Sequence, residues 1–388
     1  MKRVAITGIG LIDSLGNNPQ DCFLNYLTKD NYPTPYNDEW DFLSDKVAFF
    51  ANHDLLKPEK INNSTYAALD KVNKMALHSV EQSLQGLPVS KDVGLVFSTI
   101  TASQANVPNF IEYTKGNAKK VRPKVLLQGV KDYAVGLIPQ IYDFTGANTS
   151  MFAACATTLY NLDYALHLVD DYDYVLCGGS DEGTNYIDSS FFKEIGAMGS
   201  YSAPFNDERD GFIMGEGSGC LVLESEEKAK ARGAKIYGYI CGIGKASDGS
   251  EGKPTAPDIN SSGAKKAMAD AVKGIDTTQI SFVNAHATST PIGDDLEYNA
   301  IESIFPITPV VSFKSKIGHT MGSSGVVELI YTLMSLNNNC IPPNFNIKSC
   351  DLKNVITEKR DSDKKYALKN SLAFGGKNVS VLIERPDA

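Results

Sequence analysis

The sequence predicts an α/β protein built from two halves on one plan. Three observations carry that prediction. Short apolar runs with β-strand character alternate with segments whose apolar residues recur at helical spacing, the pattern of a sheet covered by helices. The plan repeats, because in each half a strand delivers a reactive residue, small residues follow and an apolar helix leaves, so that Cys155 and His319 occupy comparable places. Finally, 388 residues with 42% hydrophobic and 21% charged content are ordinary for a globular protein and long enough for two domains or one large duplicated core. The halves are expected over 1–234 and 235–388, with functional groups gathered where strands end and helices begin.

Bulk properties exclude several classes. A net charge of −9 argues against a nucleic-acid or anionic-membrane protein, while leaving room for a local basic patch. Seven cysteines without a CxxC motif fit reduced thiols, so a cytoplasmic location is expected. The opening MKRVAITGIGLIDSLG imitates a signal peptide, but Gly8, Gly10 and Asp13 break its apolar run and it reads better as a first strand. No apolar stretch approaches the length of a membrane span.

Taken in order, Val4 to Thr7 forms that first strand, and Gly8-Ile9-Gly10 after it fails as a dinucleotide fingerprint because the third glycine falls on Asp13. Residues 20 to 65, with Pro33, Pro35 and Trp40, look like an irregular cap outside the core. A helix is expected from Tyr66 to Leu84 and a buried strand from Val93 to Phe97. The most basic segment, Lys119-Lys120-Val121-Arg122-Pro123-Lys124, reads by itself as a solvated face. Next, MFAACATTLYNLDYALHL brings Cys155 to a helix start, where the positive end of the helix dipole favours a nucleophilic thiolate; the alternative is a buried structural cysteine. A strand from Tyr174 to Cys177 ends in Gly178-Gly179, and the glycines at 211, 215, 217 and 219 suggest tight turns and close packing before the strand Cys220 to Glu224. The second half adds strands Ile236 to Ile243, Ile280 to Ala285 and Val310 to Phe313, with helices Ser262 to Val272, Asp294 to Ile304 and Ser324 to Leu336.

Of the five histidines, His53, His78 and His167 have no chemical neighbours and read as structural or surface residues. His286 stands at the end of the strand SFVNA before a run of hydroxyls, and His319 lies between Gly318 and Gly322, which let a ligand approach the backbone. One cysteine with two strand-end histidines suits acyl-thioester chemistry better than proteolysis, and no ligands fall at zinc spacing.

These stretches resemble a known family. Ala154-Cys155-Ala156-Thr157, Pro204 to Gly219, Asn284 to Pro291 with Asp294 and Glu297, Lys314 to His319 with Glu328, and Asn370 to Gly376 are similar, in the same order, to β-ketoacyl-acyl carrier protein synthases of the elongating type, in the thiolase-fold superfamily. The resemblance implies a duplicated five-layer αβαβα fold, a dimer, and acylation of Cys155 by a thioester on acyl carrier protein. It implies an oxyanion hole from the N–H groups of Cys155 and Phe374, and two neutral imidazoles, His286 and His319, that stabilise the enolate left when a malonyl thioester loses its carboxylate. Lys314 is expected to be buried and paired, with Glu328 and Asp294 as candidate partners at the substrate site. Thr288 and Thr290 match positions that bind the pantetheine arm, and Thr255 matches more weakly. No metal or cofactor is implied beyond the carrier's phosphopantetheine. Because acyl carrier proteins are acidic, Lys119, Lys120, Arg122 and Lys124, with Lys71 and Lys74, are the docking candidates.

Departures from the family pattern concern the surroundings of the chemistry. Ala287 and Ala373 stand where glycines are usual, Lys377 where a threonine is usual, and Ala203 where an arginine is usual. They incline the expected pathway toward a specialised polyketide or polyene product over general fatty acid elongation. A non-catalytic chain-length-factor-like subunit is the alternative, which the intact Cys155, His286, His319 and Lys314 oppose; a degradative thiolase is opposed by the absence of a cysteine in Asn370 to Gly376.

Overall fold

The computed structural model describes residues 3–36, 41–101, 112, 114–117, 127–249 and 258–386. Ten strands form its backbone: β1 (Val4–Asp13), β2 (Val93–Ser98), β3 (Asn148–Thr149), β4 (Tyr174–Glu182), β5 (Met214–Ser225), β6 (Gly238–Ser247), β7 (Ile280–Asn284), β8 (Val310–Val311), β9 (Tyr366–Ala373) and β10 (Lys377–Glu384). The main helices are α1 (Pro19–Thr28), α2 (Lys71–Ser83), α3 (Tyr133–Tyr142), α4 (Thr157–Leu166), α5 (Tyr186–Glu194), α6 (Ser262–Ala271), α7 (Pro291–Ile304) and α8 (Ser324–Asn337).

The duplication is visible strand by strand. The first half runs β1-β5-β4-β2-β3 and the second β6-β10-β9-β7-β8. In both, the first two neighbour pairs are antiparallel and the last two parallel. The halves join where Val4–Ile6 of β1 pairs with β6. Helices α4 and α8 lie between the two halves, with Leu159, Leu162, Val326 and Ile330 in one core with strand residues from both. A second core lies outside the first half, under α2 and α3, and a third outside the second half, under α6 and α7. Helices, strands, helices, strands and helices thus make the five layers expected.

Capping sets several boundaries. Asn18 caps α1 by accepting from Asp21 N–H, with Pro19 inside the first turn, and Asp70 caps α2 by accepting from Asn73 N–H. Asp70 also corrects the single helix expected over 66–84, because the chain forms a short helix, Asn63–Ala67, and restarts at this cap. The cap-like reading of 20–65 is likewise corrected. Cys22, Phe23 and Tyr26 of α1 are core residues, with the Tyr26 ring 4.9 Å from that of Phe313 and 5.2 Å from that of Phe345; Trp40 lies outside the described residues.

Glycines read as strand ends or turns are mostly sites of close approach. Strand β4 continues through Gly178 and Gly179 to Glu182, and β5 runs unbroken through Gly215, Gly217 and Gly219. A Cβ on Gly219 would lie 2.9 Å from Val326, so the missing side chain lets α8 rest on β5. Likewise a Cβ on Gly10 would meet the carbonyl oxygen of Ser79 at 1.9 Å, which places α2 directly on β1.

Candidate active site

The reactive groups come from three strand ends. After β3 the chain turns through Ala154, whose φ of 48° is strained for a residue with a Cβ, and presents Cys155 just ahead of α4. After β8, a short helical turn and Gly318 (φ 67°) place His319, whose N–H donates to Ile213 O at 2.8 Å and whose carbonyl accepts from Gly215 N–H at 3.0 Å. After β7, the backbone of His286 is held by Glu297 of α7, which accepts from His286 N–H at 2.8 Å and Ala287 N–H at 2.7 Å. These segments converge so that His319 Nε2 lies 3.1 Å from Cys155 Sγ and the two imidazole rings are 5.3 Å apart, edge to face.

Burial sets the protonation states. Desolvation pushes the Cys155 thiol up to about 12, with Lys314 opposing and Asp181 reinforcing the rise. The thiolate expected from the helix dipole is therefore not the resting form; burial outweighs the start of a ten-residue helix. The thiol proton has an acceptor in His319 instead. Burial and the nearby Lys314 hold both imidazoles neutral, His319 down to about 3 and His286 well below the ordinary histidine range. Nδ1 of each ring has no hydrogen-bond partner among the described residues, so neither tautomer is locked. His319 Nε2 is thus free to accept a proton in one step and donate one in another.

Behind the histidines sits an ion cluster with no exposure to solvent. Glu328 Oε1 accepts from Lys314 Nζ at 2.5 Å and Oε2 from Lys369 Nζ at 2.7 Å, while Lys314 Nζ also donates to His286 O at 2.6 Å. The expected Lys314–Glu328 pair is present. Asp294 is not its partner: placed in the first turn of α7, it accepts from Phe205 N–H at 3.0 Å and lies 3.6 Å from Arg209 Nε. Burial raises its carboxyl to about 7.

A cavity of about 550 Å³ opens onto these groups, lined by Cys155, His286, His319, Thr288, Thr290, Asp294 and Phe374 among others. Glu328 is behind this wall and not on it. Phe374 occupies the tip of the β9–β10 turn, 40% exposed, with its ring 6.4 Å from that of Phe192 on α5. Ala373, which stands where a glycine is usual, is a paired strand residue at negative φ; Gly375 (φ 82°) and Gly376 (φ 67°) take the left-handed positions. Sγ of Cys155 and one nitrogen of each histidine lie within 4.8 Å of one another, a proximity that would admit a soft cation and that linear spacing does not show.

The remaining candidates divide. Thr255, Lys119, Lys120, Arg122 and Lys124 fall outside the described residues. Lys71 is paired with Glu216 at 2.5 Å, while the Lys74 ammonium lies 5.6 Å from the Tyr66 ring centroid. His78 is a buried acceptor for Leu56 N–H. Sequence reasoning missed Lys369, Asp181 and the aromatic wall of Phe191, Phe192 and Phe212. Lys369 left a signal, a lone charge between Leu368 and Asn370 in the middle of an apolar strand.

Comparison with known proteins identifies the family. Residues 1–229 match the family model "Beta-ketoacyl synthase, N-terminal domain" and residues 237–348 match "Beta-ketoacyl synthase, C-terminal domain". The chain belongs to the β-ketoacyl synthase family, acyltransferases that form carbon–carbon bonds. It is 30% identical to 3-oxoacyl-[acyl-carrier-protein] synthase 1 of Haemophilus influenzae over 99% of both chains, and 30% identical to the synthase of the same name in Escherichia coli, again over 99% of each. A β-ketoacyl synthase structure from Burkholderia phymatum superposes with a TM-score of 0.89 at 27% identity, covering 99% of this chain and all of that one. The ishigamide ketosynthase/chain length factor shares the fold, with a TM-score of 0.90 over 99% of each chain at 24% identity. Among the described residues, no helix is long and apolar enough to cross a membrane.

Proposed function

We propose that the protein is a β-ketoacyl-acyl carrier protein synthase that condenses a malonyl thioester with an acyl group held on Cys155. The observation that carries this reading is the 3.1 Å approach of His319 Nε2 to Cys155 Sγ beside a second neutral imidazole in a buried cavity. In the first half-reaction Cys155 Sγ attacks the acyl carbonyl, and the carbon–sulfur bond to the carrier's pantetheine breaks. The thiol proton passes through His319 to the departing pantetheine sulfur, so the imidazole ends neutral. The N–H groups of Cys155 and Phe374 are the proposed oxyanion donors. In the second, a malonyl thioester loses CO2, His286 and His319 donate to the enolate oxygen, and the enolate carbon attacks the acyl-Cys155 carbonyl. The new carbon–carbon bond forms, Cys155 leaves as thiolate and recovers a proton from water.

The finer reading is a specialised polyketide or polyene pathway in the cytoplasm, without a cofactor beyond the carrier's arm, in a dimer with itself or with a chain-length-factor-like subunit. Four phenylalanines on the cavity wall, Phe191, Phe192, Phe212 and Phe374, support a flat, unsaturated chain, because aromatic faces pack closely against conjugated ones. The 1–234 and 235–388 division is kept as the functional one, nucleophile in the first part and histidines in the second.

The test is intact-mass spectrometry after incubation with acyl-acyl carrier protein. One acyl adduct is expected, mapped to Cys155 and absent from Cys155→Ala; an adduct that survives in that variant overturns the assignment.

A further inference from the structure

Among the buried charges of the second half, Lys369 has no role in the chemistry described so far. It sits in the middle of β9 with no solvent exposure, and its neighbours are specific. Its ammonium donates to Glu328 Oε2 at 2.7 Å and reaches Ala285 O at 3.4 Å. Lys314 makes the mirror-image contacts, to Glu328 Oε1 at 2.5 Å and to the next carbonyl, His286 O, at 2.6 Å. Two lysines therefore grip one carboxylate from opposite sides and two successive carbonyls of the segment that carries His286. The Lys314–Glu328 pair alone is neutral. With Lys369 the Lys314–Glu328–Lys369 group carries two positive charges against one negative, directly behind both imidazoles; the next carboxyl, Glu297, is pushed by burial above the ordinary carboxylate range.

We propose that Lys369 is a positioning residue of the condensation, which fixes the His286 segment and gives the buried cluster the net positive charge that favours the enolate. The proposal rests on the reading that the two histidines stabilise that enolate. An isolated ammonium in an apolar interior is strongly disfavoured unless a partner compensates it, so a second lysine on an already neutralised carboxylate is a poor structural device. Its field acts where negative charge develops, in a site shielded from water, where such fields are strongest. The charged and titratable groups that face it are Glu328 on α8, Lys314 after β8 and Glu297 on α7, together with His286 and His319, whose depressed basicity Lys369 reinforces.

The ammonium is also removable within an accessible pH range. Burial, reinforced by Lys314 and opposed by Glu328, brings Lys369 down to about 8. The charged form prevails below that pH and the neutral form above it, so decarboxylation should weaken as pH rises through 8.

The experiment measures CO2 release from malonyl-acyl carrier protein between pH 6.5 and 9.5 in wild type, Lys369→Met and Lys369→Arg. In Lys369→Met, kcat is expected to fall about tenfold at pH 7 with KM little changed, a smaller loss than for a donor that touches the oxyanion itself. The decline near pH 8 should disappear with it. Lys369→Arg keeps a charge that does not titrate in this range and is expected to retain most of the rate while also losing the decline. Wild-type kcat and pH profile in Lys369→Met overturn the proposal. If that variant does not fold, a flat wild-type profile from pH 7 to 9.5 does the same. Absence of CO2 release from the wild type at every pH overturns the ketosynthase reading instead, so the two failures are distinct.

Discussion

The two halves share a strand order, but the carboxylate that secures each half's side of the site lives in opposite electrostatic company. Asp181, at the end of β4, is buried and among the described residues accepts from neutral donors: the N–H groups of Ile100 at 2.8 Å, Thr101 at 2.9 Å and Ser323 at 2.7 Å, and the Thr101 hydroxyl. Burial dominates and pushes its carboxyl up to about 7. Glu328, in α8, is as deeply buried, yet the ammoniums of Lys314 and Lys369 more than cancel the desolvation and hold it below the ordinary carboxylate range. Duplication copied the backbone frame and left the charges to diverge. The half that carries Cys155 keeps its thiol neutral, and the half that carries His286 and His319 concentrates the positive charge.

The largest expected effects separate the two histidines, which both belong to the second half while only one reaches into the first. His286→Ala and His319→Ala should each depress malonyl decarboxylation by on the order of 10²-fold, as for a lost oxyanion donor. Only His319→Ala should also slow acylation of Cys155, because only His319 is shown in contact with Sγ, at 3.1 Å. Single-turnover acylation beside CO2 release checks both. Equal acylation rates in the two variants break the division of labour.

Stability offers the next comparison. Glu328→Gln leaves two buried ammoniums facing a neutral amide and should destabilise by about 3–5 kcal/mol, the range for a broken buried pair. Asp181→Asn loses acceptors for backbone donors and should cost about 1–3 kcal/mol. The sign of the pH dependence also follows. With a folded carboxyl near 7 against an ordinary value of 3.8, the folded chain binds the Asp181 proton more tightly, so this contribution is full below 3.8 and is lost as pH rises to about 7. The denaturant midpoint at pH 7 should therefore rise relative to that at pH 4 in Asp181→Asn, compared with the same difference in the wild type. A larger loss in Asp181→Asn than in Glu328→Gln inverts the contrast.

Much of this frame was legible in the sequence, for physical reasons that differ by residue. Cys155, His286 and His319 stand out because rare reactive side chains follow apolar strands and precede small residues, and strand ends in an α/β sheet converge. Helix α8 announces itself by periodicity, whereas β9 does not, because Lys369, Asn370 and Ser371 interrupt its apolar residues. What stayed hidden depends on which distant atoms meet. Lys369 is a single charge between apolar residues and Asp294 one of three carboxylates in Asp294-Asp295-Leu296-Glu297, and nothing along the chain says that Glu328 selects Lys369 and leaves Asp294 to Arg209. The thiolate expectation weighed a local dipole and could not weigh burial, which only the packing of five layers decides. Gly178 and Gly179 punctuate the sequence as a turn would, yet the fold uses them for close approach, Gly178 to Gly219 on the neighbouring strand and Gly179 to Thr158 of α4.

The smallest effect expected lies where the equivalent connections of the two halves meet above the cavity. In the second half, β9 and β10 are joined by Phe374, Gly375 and Gly376 alone. In the first half, the matching link between β4 and β5 spans 183–213 and includes α5, and its Phe192 lies 6.4 Å from Phe374 and 5.3 Å from Phe212. One connection is a three-residue turn and the other carries a helix and the aromatic wall. Because Ala373 is strand-paired with Lys377 and carries no left-handed strain, Ala373→Gly relieves nothing and should destabilise by only ~0.5–1 kcal/mol, through the freer unfolded chain. Gly375→Ala meets no neighbour within 4 Å but must hold φ near 82°, at about 1–2 kcal/mol, and so bears on the turn itself. Phe192→Ala instead removes wall and leaves the turn's geometry alone. Competing saturated, 3-keto and unsaturated acyl-carrier-protein primers should then be acylated in unchanged ranking by Ala373→Gly, more slowly but in the same ranking by Gly375→Ala, and with a narrowed spread of rates by Phe192→Ala. A reordered ranking in Ala373→Gly would show that the Phe374–Gly376 turn, and not the first half's aromatic wall, selects the acyl chain.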